Sequence, residues 1–345
     1  MKIPAQVLLD LIEQDEELRS KLDHGKTRWT MVRAGNGDTG KYKLMRNRRP
    51  EVLYRGQNRI YDPCWPSICR GFNEISPAPK DLKLTDRARL LRGLALNSWF
   101  EQEFNLHPMM QWALSANLEV NCGAIAQHYG IPTGYIDASE SFGVSAFFAT
   151  CRYSSDQGWS PADSGEGVMY RLHVDALGDR VRPIAYQPLP RPTRQWAWTI
   201  ELLLGEDFVQ APMLQQLRFD HDPTVGEAIL KMYDYGKALL PDDPTARLAA
   251  RMCSASDIPI EHIEHAEAQL SGDPNGLDVN AARAARETLH REFSIQFSQS
   301  SAVRFTAEEL KEATLTWEQE REAFTKSPDV GFMLLRTRPR DETNV

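Results

Sequence analysis

The stretch "NCGAIAQHYGIPTGYIDASESFGVSAFFATCRY", residues 121–153, contains the densest set of structural signals in the chain. Its first nine residues predict a short helix, and Gly130 follows at the position where a helix end commonly turns left-handed. Pro132 then prevents the helix from continuing. The segment "PTGYIDA" is extended, and an apolar helix follows through Phe148. The stretch therefore predicts helix, turn, strand and helix in close succession.

A second informative stretch, "EVLYRGQNRIYDPCWPSICRGF", spans residues 51–72. The segment "EVLYRG" predicts a strand, and the two prolines of "DPCWPS" end it because proline cannot extend a hydrogen-bonded ladder. Arg55 directly follows the apolar run of this strand. A buried guanidinium without a partner is too costly to keep, so Arg55 requires an anionic or carbonyl group. That group belongs either to the chain itself or to a ligand.

The remaining segments are assigned by their periodicity. Strands are predicted at "GVMYRLHV" (167–174) and "RQWAWTIELLL" (194–204). Helices are predicted over 5–22, 85–105 and most of 245–326. Because strands and helices do not alternate regularly, the chain is predicted to be α+β, with a mixed or antiparallel sheet and helical additions at both ends.

Composition restricts the class of protein. A hydrophobic fraction of 41% and a charged fraction of 26% are typical of a globular chain, and the net charge of −8 argues against a globally electropositive nucleic-acid binder. No apolar run approaches the roughly 20 residues that a membrane span needs, and acids follow the first apolar residues, unlike a signal peptide. The five cysteines are scattered, which is typical of free thiols in a reducing cytoplasm. We therefore expect a cytoplasmic protein without a membrane partner.

Four segments occur together in a specific order: "YRGQ", "WPSICR", "AQHYGIPTGYIDAS" with "AFFA", and "RPTRQWA". In this combination the chain resembles the FRG domain, which is named for its (F/Y)-Arg-Gly start. The resemblance runs from about residue 48 to "LLPDDP", near residue 244. The Asp-Trp-Thr of the family is Asp137-Ala138-Ser139 here, and its Arg-x-x-x-Gln-x-Gly is matched by Arg191, Gln195 and Ala197.

The resemblance implies a fold and an activity. The FRG domain looks related to the ADP-ribosyltransferase fold, and FRG proteins are often associated with bacterial toxin or defence systems. An NAD-dependent ADP-ribosyltransferase is therefore expected, with RNA or another nucleic acid or a protein as acceptor and an antitoxin or chaperone as partner. The Ser-Thr-Ser strand and the strand-borne Glu-x-Glu pair of arginine-type transferases are missing from the predicted strands. A non-catalytic module that binds a nucleotide, RNA or a partner protein is the alternative.

The chain divides into three parts on this interpretation. Residues 1–47 form an N-terminal helix and a basic hairpin, 48–250 form the FRG domain, and 251–345 form a helical extension that offers a docking surface. The basic segment "KYKLMRNRRPEVLYRGQNR" (41–59) interleaves lysines and arginines with two tyrosines, Tyr42 and Tyr54. Such a segment neutralises phosphates and stacks bases, although a solvated hairpin is the simpler interpretation.

The expected NAD site is centred on Arg55, whose planar fork of donors matches a diphosphate. Gly56 would let a ligand approach the backbone closely. His128 or Tyr129 would stack a nicotinamide or a base. The full set of cofactor-binding candidates is Tyr54, Arg55, Gly56, Gln57, His128, Tyr129 and Thr133. The competing interpretations are an Arg55–Asp137 salt bridge and a His128 that caps its helix.

The catalytic candidates are Arg55, Asp137, Gln195 and Glu201. Asp137 would fix Arg55 or stabilise an oxocarbenium-like ribosyl centre, as carboxylates do in glycoside cleavage; its alternative is a cap of the following helix. Gln195 and Glu201 share one face of the predicted strand 194–204, where Glu201 replaces the missing acid; a solvated face is the alternative. No metal site is predicted, since neighbouring histidines at 262 and 265 lack a third ligand.

Overall fold

The structure, a computed structural model, describes residues 1–22, 29–33, 42–46, 50–74, 76–184, 189–326 and 330–332. The helices are α1 (Val7–Leu22), α2 (Leu84–Phe104), α3 (Pro108–Ser115), α4 (Cys122–His128), α5 (Phe142–Thr150), α6 (Pro190–Arg194), α7 (Pro223–Met232), α8 (Pro244–Ser254), α9 (Ile260–Gly272), α10 (Val279–Phe293) and α11 (Ala307–Lys326). The strands are β1 (Trp29–Arg33), β2 (Tyr42–Arg46), β3 (Val52–Gln57), β4 (Tyr135–Ser139), β5 (Cys151–Ser154), β6 (Gly158–Pro161), β7 (Glu166–His173), β8 (Val181–Pro183), β9 (Ala197–Glu201), β10 (Leu214–Asp220), β11 (Asp257–Pro259), β12 (Gln296–Ser298) and β13 (Val330–Phe332).

The main sheet has the strand order β10-β7-β3-β4-β9-β8, and each pair of neighbours is antiparallel. The prediction of an α+β fold with an antiparallel sheet is thus confirmed. Smaller sheets surround it. In these, β5 pairs with β6, β11 with β12, and β1 with both β2 and β13. Strands β1 and β2 are antiparallel, while the side chains of the predicted basic hairpin before residue 50 lie outside the described part of the structure.

The ladder between β3 and β4 is short. Strand β3 pairs with β7 along its whole length, from Val52 to Gln57, and β4 pairs with β9 from Tyr135 to Ser139. In contrast, β3 and β4 pair with each other at Tyr54 and Ser139 alone among their described residues. The sheet is therefore split beyond this pair.

Side chains alternate along each strand, so the two faces of the sheet pack in two different apolar clusters. Leu53 and Val168 belong to an apolar cluster on one face. Tyr54 and Met169 belong to the cluster on the other face, which α1, α5 and α7 cover. The apolar helix α5, predicted from "FGVSAFFAT", is buried along nearly its whole length. It packs directly on β3, at the edge of the split.

The C-terminal helices α8, α9 and α10 share a third apolar cluster with α2 and α4, which lie between β3 and β4 in the sequence. Leu91 of α2 and Ile125 of α4 lie in the same cluster as Leu248, Ile263 and Leu289 from α8, α9 and α10. The core is therefore continuous across residue 250. The three-part division of the chain stays a prediction, but residues up to Trp317 of α11 contribute to this one core.

The predicted strand 194–204 is wrong at its start. Proline is favourable in the first turn of a helix, so "PRPTR" forms α6 instead. Gln195 ends this helix, Trp196 has a left-handed φ of 50°, and β9 begins only at Ala197. Gln195 therefore shares no strand face with Glu201. In contrast, Gly130 has a φ of +86°, as its predicted position after a helix requires.

His107 makes the stability of the fold depend on pH. Its Nδ1 accepts a hydrogen bond of 3.2 Å from the backbone N–H of Met109 and so caps α3. The ring packs between Phe104 and Phe305. Burial lowers the pKa of His107 from 6.5 to about 4, so the neutral ring is the form that folds. Since the unfolded chain binds a proton first, stability is lost as pH falls between these two values.

We expect this residue to lower the free energy of unfolding by about 3 kcal/mol as the pH falls from 6.5 to 4, at about 1.4 kcal/mol per pH unit. Urea unfolding across this pH range measures the slope. His107→Asn keeps an acceptor for the helix cap but does not titrate, so it should flatten the slope even if its overall stability is lower. An unchanged slope in that variant would show that His107 is not responsible.

Candidate functional site

A cleft of about 480 Å³ lies at the split between β3 and β4. One wall is the end of β3, and the opposite wall is the segment Asp137–Ser139 of β4. Helix α5 and the β5–β6 hairpin close one side. His128 at the end of α4 and Gln195 at the end of α6 complete the lining. The cleft thus collects residues that are far apart in the sequence, from Tyr54 to Gln195.

Arg55 spans the split. Its Nη1 donates a hydrogen bond of 2.7 Å to the backbone carbonyl of Asp137. Its Nε is buried and has no hydrogen-bond partner among the described residues. The expected alternative of an Arg55–Asp137 salt bridge therefore does not hold, because the contact is to the carbonyl of Asp137 and not to its carboxylate. Part of the guanidinium is left for a ligand in the cleft.

The orientation of the Gln127 amide is fixed by two hydroxyl groups. Its Oε1 accepts hydrogen bonds from Ser67 at 2.7 Å and from Thr133 at 2.6 Å. Its Nε2 must then point the other way, toward Oδ2 of Asp137 at 3.3 Å. One oxygen of the Asp137 carboxylate is therefore already occupied by a donor.

The Gln195 amide is fixed in a similar way. Its Nε2 donates to the backbone carbonyl of Leu239 at 3.0 Å, inside the protein. Its Oε1 therefore faces Nδ1 of His128, at 3.1 Å. Because an amide oxygen can only accept, Nδ1 must carry the hydrogen. A neutral His128 then presents a bare lone pair at Nε2.

His128 Nε2 and Asp137 Oδ1 face each other across 3.3 Å. This distance allows an ion pair, but the geometry makes no hydrogen bond, and both atoms are buried without a partner. Two lone pairs at this distance repel unless a hydrogen lies between them. We therefore treat the pair as an unsatisfied acceptor site, which a proton or the donor group of a ligand would satisfy.

Further unsatisfied groups lie beside these atoms in the sheet. Tyr170 is directly opposite Arg55, and Thr199 is directly opposite Asp137. The hydroxyl oxygen of each is buried and without a partner among the described residues. Burial raises the pKa of Tyr170 to about 12, so its phenol stays protonated. Tyr170 and Thr199 do not line the cleft, whereas Arg55, His128 and Asp137 do. Buried polar atoms without partners are rare in native proteins, and the three on these lining residues indicate a site for a polar ligand.

Gly56 has a different role from the predicted one. A Cβ atom on Gly56 would lie 1.7 Å from the backbone oxygen of Ser145 and 2.9 Å from the backbone nitrogen of Ala149. The glycine is therefore required because α5 packs against β3, and not because a ligand approaches the backbone. The close packing still serves the site, since it holds α5 against the cleft.

The other predicted residues divide into two groups. Tyr54 and Gln57 line the cleft, as predicted. Thr133 does not line it, but its hydroxyl orients Gln127. Tyr129 points away and donates to Asp243 at 3.1 Å, with the Arg191 guanidinium over its ring. Glu201 lies at the Tyr135 end of β4, beside Arg182 at 3.9 Å and outside the cleft.

An aromatic wall that the sequence did not predict also lines the cleft. It consists of Tyr61, Phe148, Tyr153 and Trp159. Tyr153 and Trp159 are paired across the β5–β6 hairpin, with ring centroids 5.5 Å apart, and Tyr153 is 64% exposed. The short spacing of two aromatic residues around the Gly158 turn was the available signal. Arg70 adds a second guanidinium to the lining.

These features define an α+β protein with a polar cleft at the split of its antiparallel sheet. The FRG domain family model matches residues 50–158, so this part of the chain is an FRG domain. The match includes Arg55, His128 and Asp137, whereas Gln195 lies beyond it. Comparison with curated proteins and with solved structures found no match. Within the described residues, no helix combines the length and the apolar character that crossing a membrane demands.

We expect Gly56→Ala to destabilise the protein by at least about 3 kcal/mol, because the added methyl group overlaps the backbone of α5. Gly134→Ala is the matched control, since a Cβ there would meet its nearest atom at an ordinary 3.6 Å. Urea unfolding of both variants measures the difference. Equal stability of the two variants would mean that α5 does not press on β3 as described.

Proposed function

We propose that the protein is an NAD-dependent ADP-ribosyltransferase that acts on a macromolecule, either RNA or a protein. The proposal depends mainly on Arg55, which projects into the cleft with a buried, unpartnered Nε and no carboxylate partner among the described residues. A guanidinium in this state is suited to a phosphate or diphosphate. The FRG domain is compatible with such an effector of a toxin or anti-phage defence system.

The residues present fit NAD. The cleft volume of about 480 Å³ lies within the range of roughly 300–1,000 Å³ that is usual for small-molecule sites. Arg55 and Arg70 would hold the diphosphate, and the aromatic wall would stack a planar ring. When bound, NAD would supply the ADP-ribose group and nicotinamide as the leaving group. The chain would bind, orient and electrostatically stabilise it.

Asp137 is the residue that we assign to charge stabilisation. Its carboxylate lies in the cleft, 3.3 Å from His128, and it is kept in place by Gln127. A carboxylate at this position would stabilise positive charge at a ribosyl carbon. Gln195 acts through His128, whose Nδ1 it holds, and is therefore a positioning residue. Glu201 has no role in this proposal because it lies outside the cleft.

We also propose the compartment, the partner and the acceptor position for this reaction. All five cysteines are free thiols, and four of them are buried, which suits the reducing cytoplasm. An antitoxin or chaperone partner would be expected for a toxin. We place the acceptor at the open mouth of the cleft, beside the exposed Tyr153.

One observation favours the alternative of a non-catalytic module that binds a nucleotide. Among the described residues that line the cleft, Asp137 is the sole carboxylate. If Asp137 only completes the binding network, the cleft would hold a nucleotide without cleaving it. The two functions therefore differ in whether a covalent product forms.

The test uses NAD labelled in its adenylate half, mixed with the purified chain and a cell lysate. We expect label in a macromolecule, and digestion with ribonuclease or protease identifies its class. Arg55→Ala should weaken NAD binding about 10- to 100-fold, since it removes a charged hydrogen-bond donor. Glu201→Gln is the control and should behave like the wild type.

The outcomes separate the two functions. Reversible NAD binding without a labelled macromolecule would support the module. Equal NAD affinity of Arg55→Ala and the wild type in calorimetry would remove Arg55 from the site, and the transferase proposal with it.

A further inference from the structure

We propose that His128 Nε2 and Asp137 Oδ1 together form a binding site for the vicinal hydroxyl groups of a ribose. This inference deepens the proposed function and rests on it for the identity of the ligand. It starts from two buried acceptor atoms that face each other across 3.3 Å without a hydrogen bond. The side chain of His128 is 2% exposed, whereas that of Asp137, which lines the cleft, is 37% exposed.

Turning the neighbouring amide groups of Gln195 and Gln127 does not supply a donor to these two acceptor atoms without loss of other hydrogen bonds. Rotation of Gln195 would place its oxygen against the Leu239 carbonyl, which now accepts from its NH₂ group. Rotation of Gln127 would place its oxygen against Asp137 and would leave the Ser67 and Thr133 hydroxyls without their acceptor. Both amides are thus fixed in orientations that leave the same two acceptors open.

The chemistry of the pair selects its ligand. A carboxylate repels phosphate, so an anionic group does not bind there. The two N–H groups of an amine or amide diverge from one atom and reach acceptors that are farther apart than 3.3 Å. Two hydroxyls on adjacent carbon atoms are nearly parallel, and each can donate to one acceptor. A cis-diol, as in ribose, is therefore the donor pair that fits.

Asp137 also fixes where the phosphate of the same ligand would lie. Its backbone carbonyl holds the Arg55 guanidinium at 2.7 Å, while its side chain offers the acceptor for the sugar. Arg55 and the acceptor pair are therefore both held at Asp137. A ribonucleotide, whose phosphate is on C5′ and whose vicinal hydroxyls are on C2′ and C3′, carries both groups in one molecule.

The key variant is Asp137→Asn, which has nearly the same shape. Its amide oxygen can accept from Gln127, and its NH₂ can donate to His128 Nε2, so the variant satisfies the acceptor pair internally. We expect it to be at least as stable as the wild type in urea unfolding. If the pair were instead a structural ion pair between imidazolium and carboxylate, the same variant would be less stable.

Binding is measured by calorimetry with two ligand pairs, ADP against 2′,3′-dideoxy-ADP and ribose 5-phosphate against 2-deoxyribose 5-phosphate. The wild type should prefer the ribose forms by at least about tenfold, because the deoxy forms leave the acceptors unsatisfied. Asp137→Asn should reduce this preference to about onefold. Glu201→Gln is the control, because Glu201 lies outside the cleft, and it should keep the wild-type preference.

Each result bears on one proposal at a time. A ribose preference that Asp137→Asn removes supports the diol site, even if no ADP-ribose is transferred to a macromolecule. Transfer without any ribose preference overturns the diol site and leaves the transferase standing. A preference that survives in Asp137→Asn, or no binding of either ribose ligand, overturns the diol site as well.

Discussion

The hydrogen bond from Arg55 to the carbonyl of Asp137 is the contact on which the rest of the cleft depends. Two adjacent antiparallel strands normally satisfy their backbone groups against each other. Here the β3–β4 ladder stops after Tyr54 and Ser139, and a guanidinium from β3 takes over a carbonyl of β4. A side chain can span a wider gap than a backbone N–H, so the sheet can open at its centre without leaving this carbonyl unpaired. The cleft is the consequence.

The split has to be held open from outside, and α5 does this on one side. Gly56 lets α5 lie directly against β3, and Ser139 is fixed in turn by donating to the backbone carbonyl of Gln195 at 2.7 Å. The two edges of the cleft are therefore tied to different neighbours, β3 to α5 and β4 to the turn after α6. Polar side chains between the edges then occupy a rigid space and cannot collapse onto one another. This rigidity explains how buried donors and acceptors stay unsatisfied.

Local signals in the sequence predicted the elements well but not the relations between them. The glycine and proline after α4 and the apolar run of β3 are properties of a few adjacent residues, and the structure confirms them. The role of Gln195 depends on the Leu239 carbonyl, 44 positions later in the chain, which no local pattern contains. Glu201 was predicted to share a face with Gln195 because 194–204 was interpreted as one strand. The prolines of α6 extend a helix to Arg194, so the strand begins only at Ala197. Distance in the fold, and not residue chemistry, was the missing information.

The helical C-terminal region is best understood through its effect on His128. Tyr129, the next residue, donates to Asp243, and Asp243 caps α8 through the N–H of Ala246 at 2.9 Å. Helix α8 in turn packs in the same apolar cluster as α2 and α4. Asp243 is buried, and this burial raises the pKa of its carboxyl group. The end of α4 is therefore fixed on the side opposite the cleft, so the imidazole is aimed by a core that includes residues beyond the FRG match. The cleft at the centre of the sheet is therefore supported by a core to which α9 and α10, from the predicted C-terminal extension, also contribute.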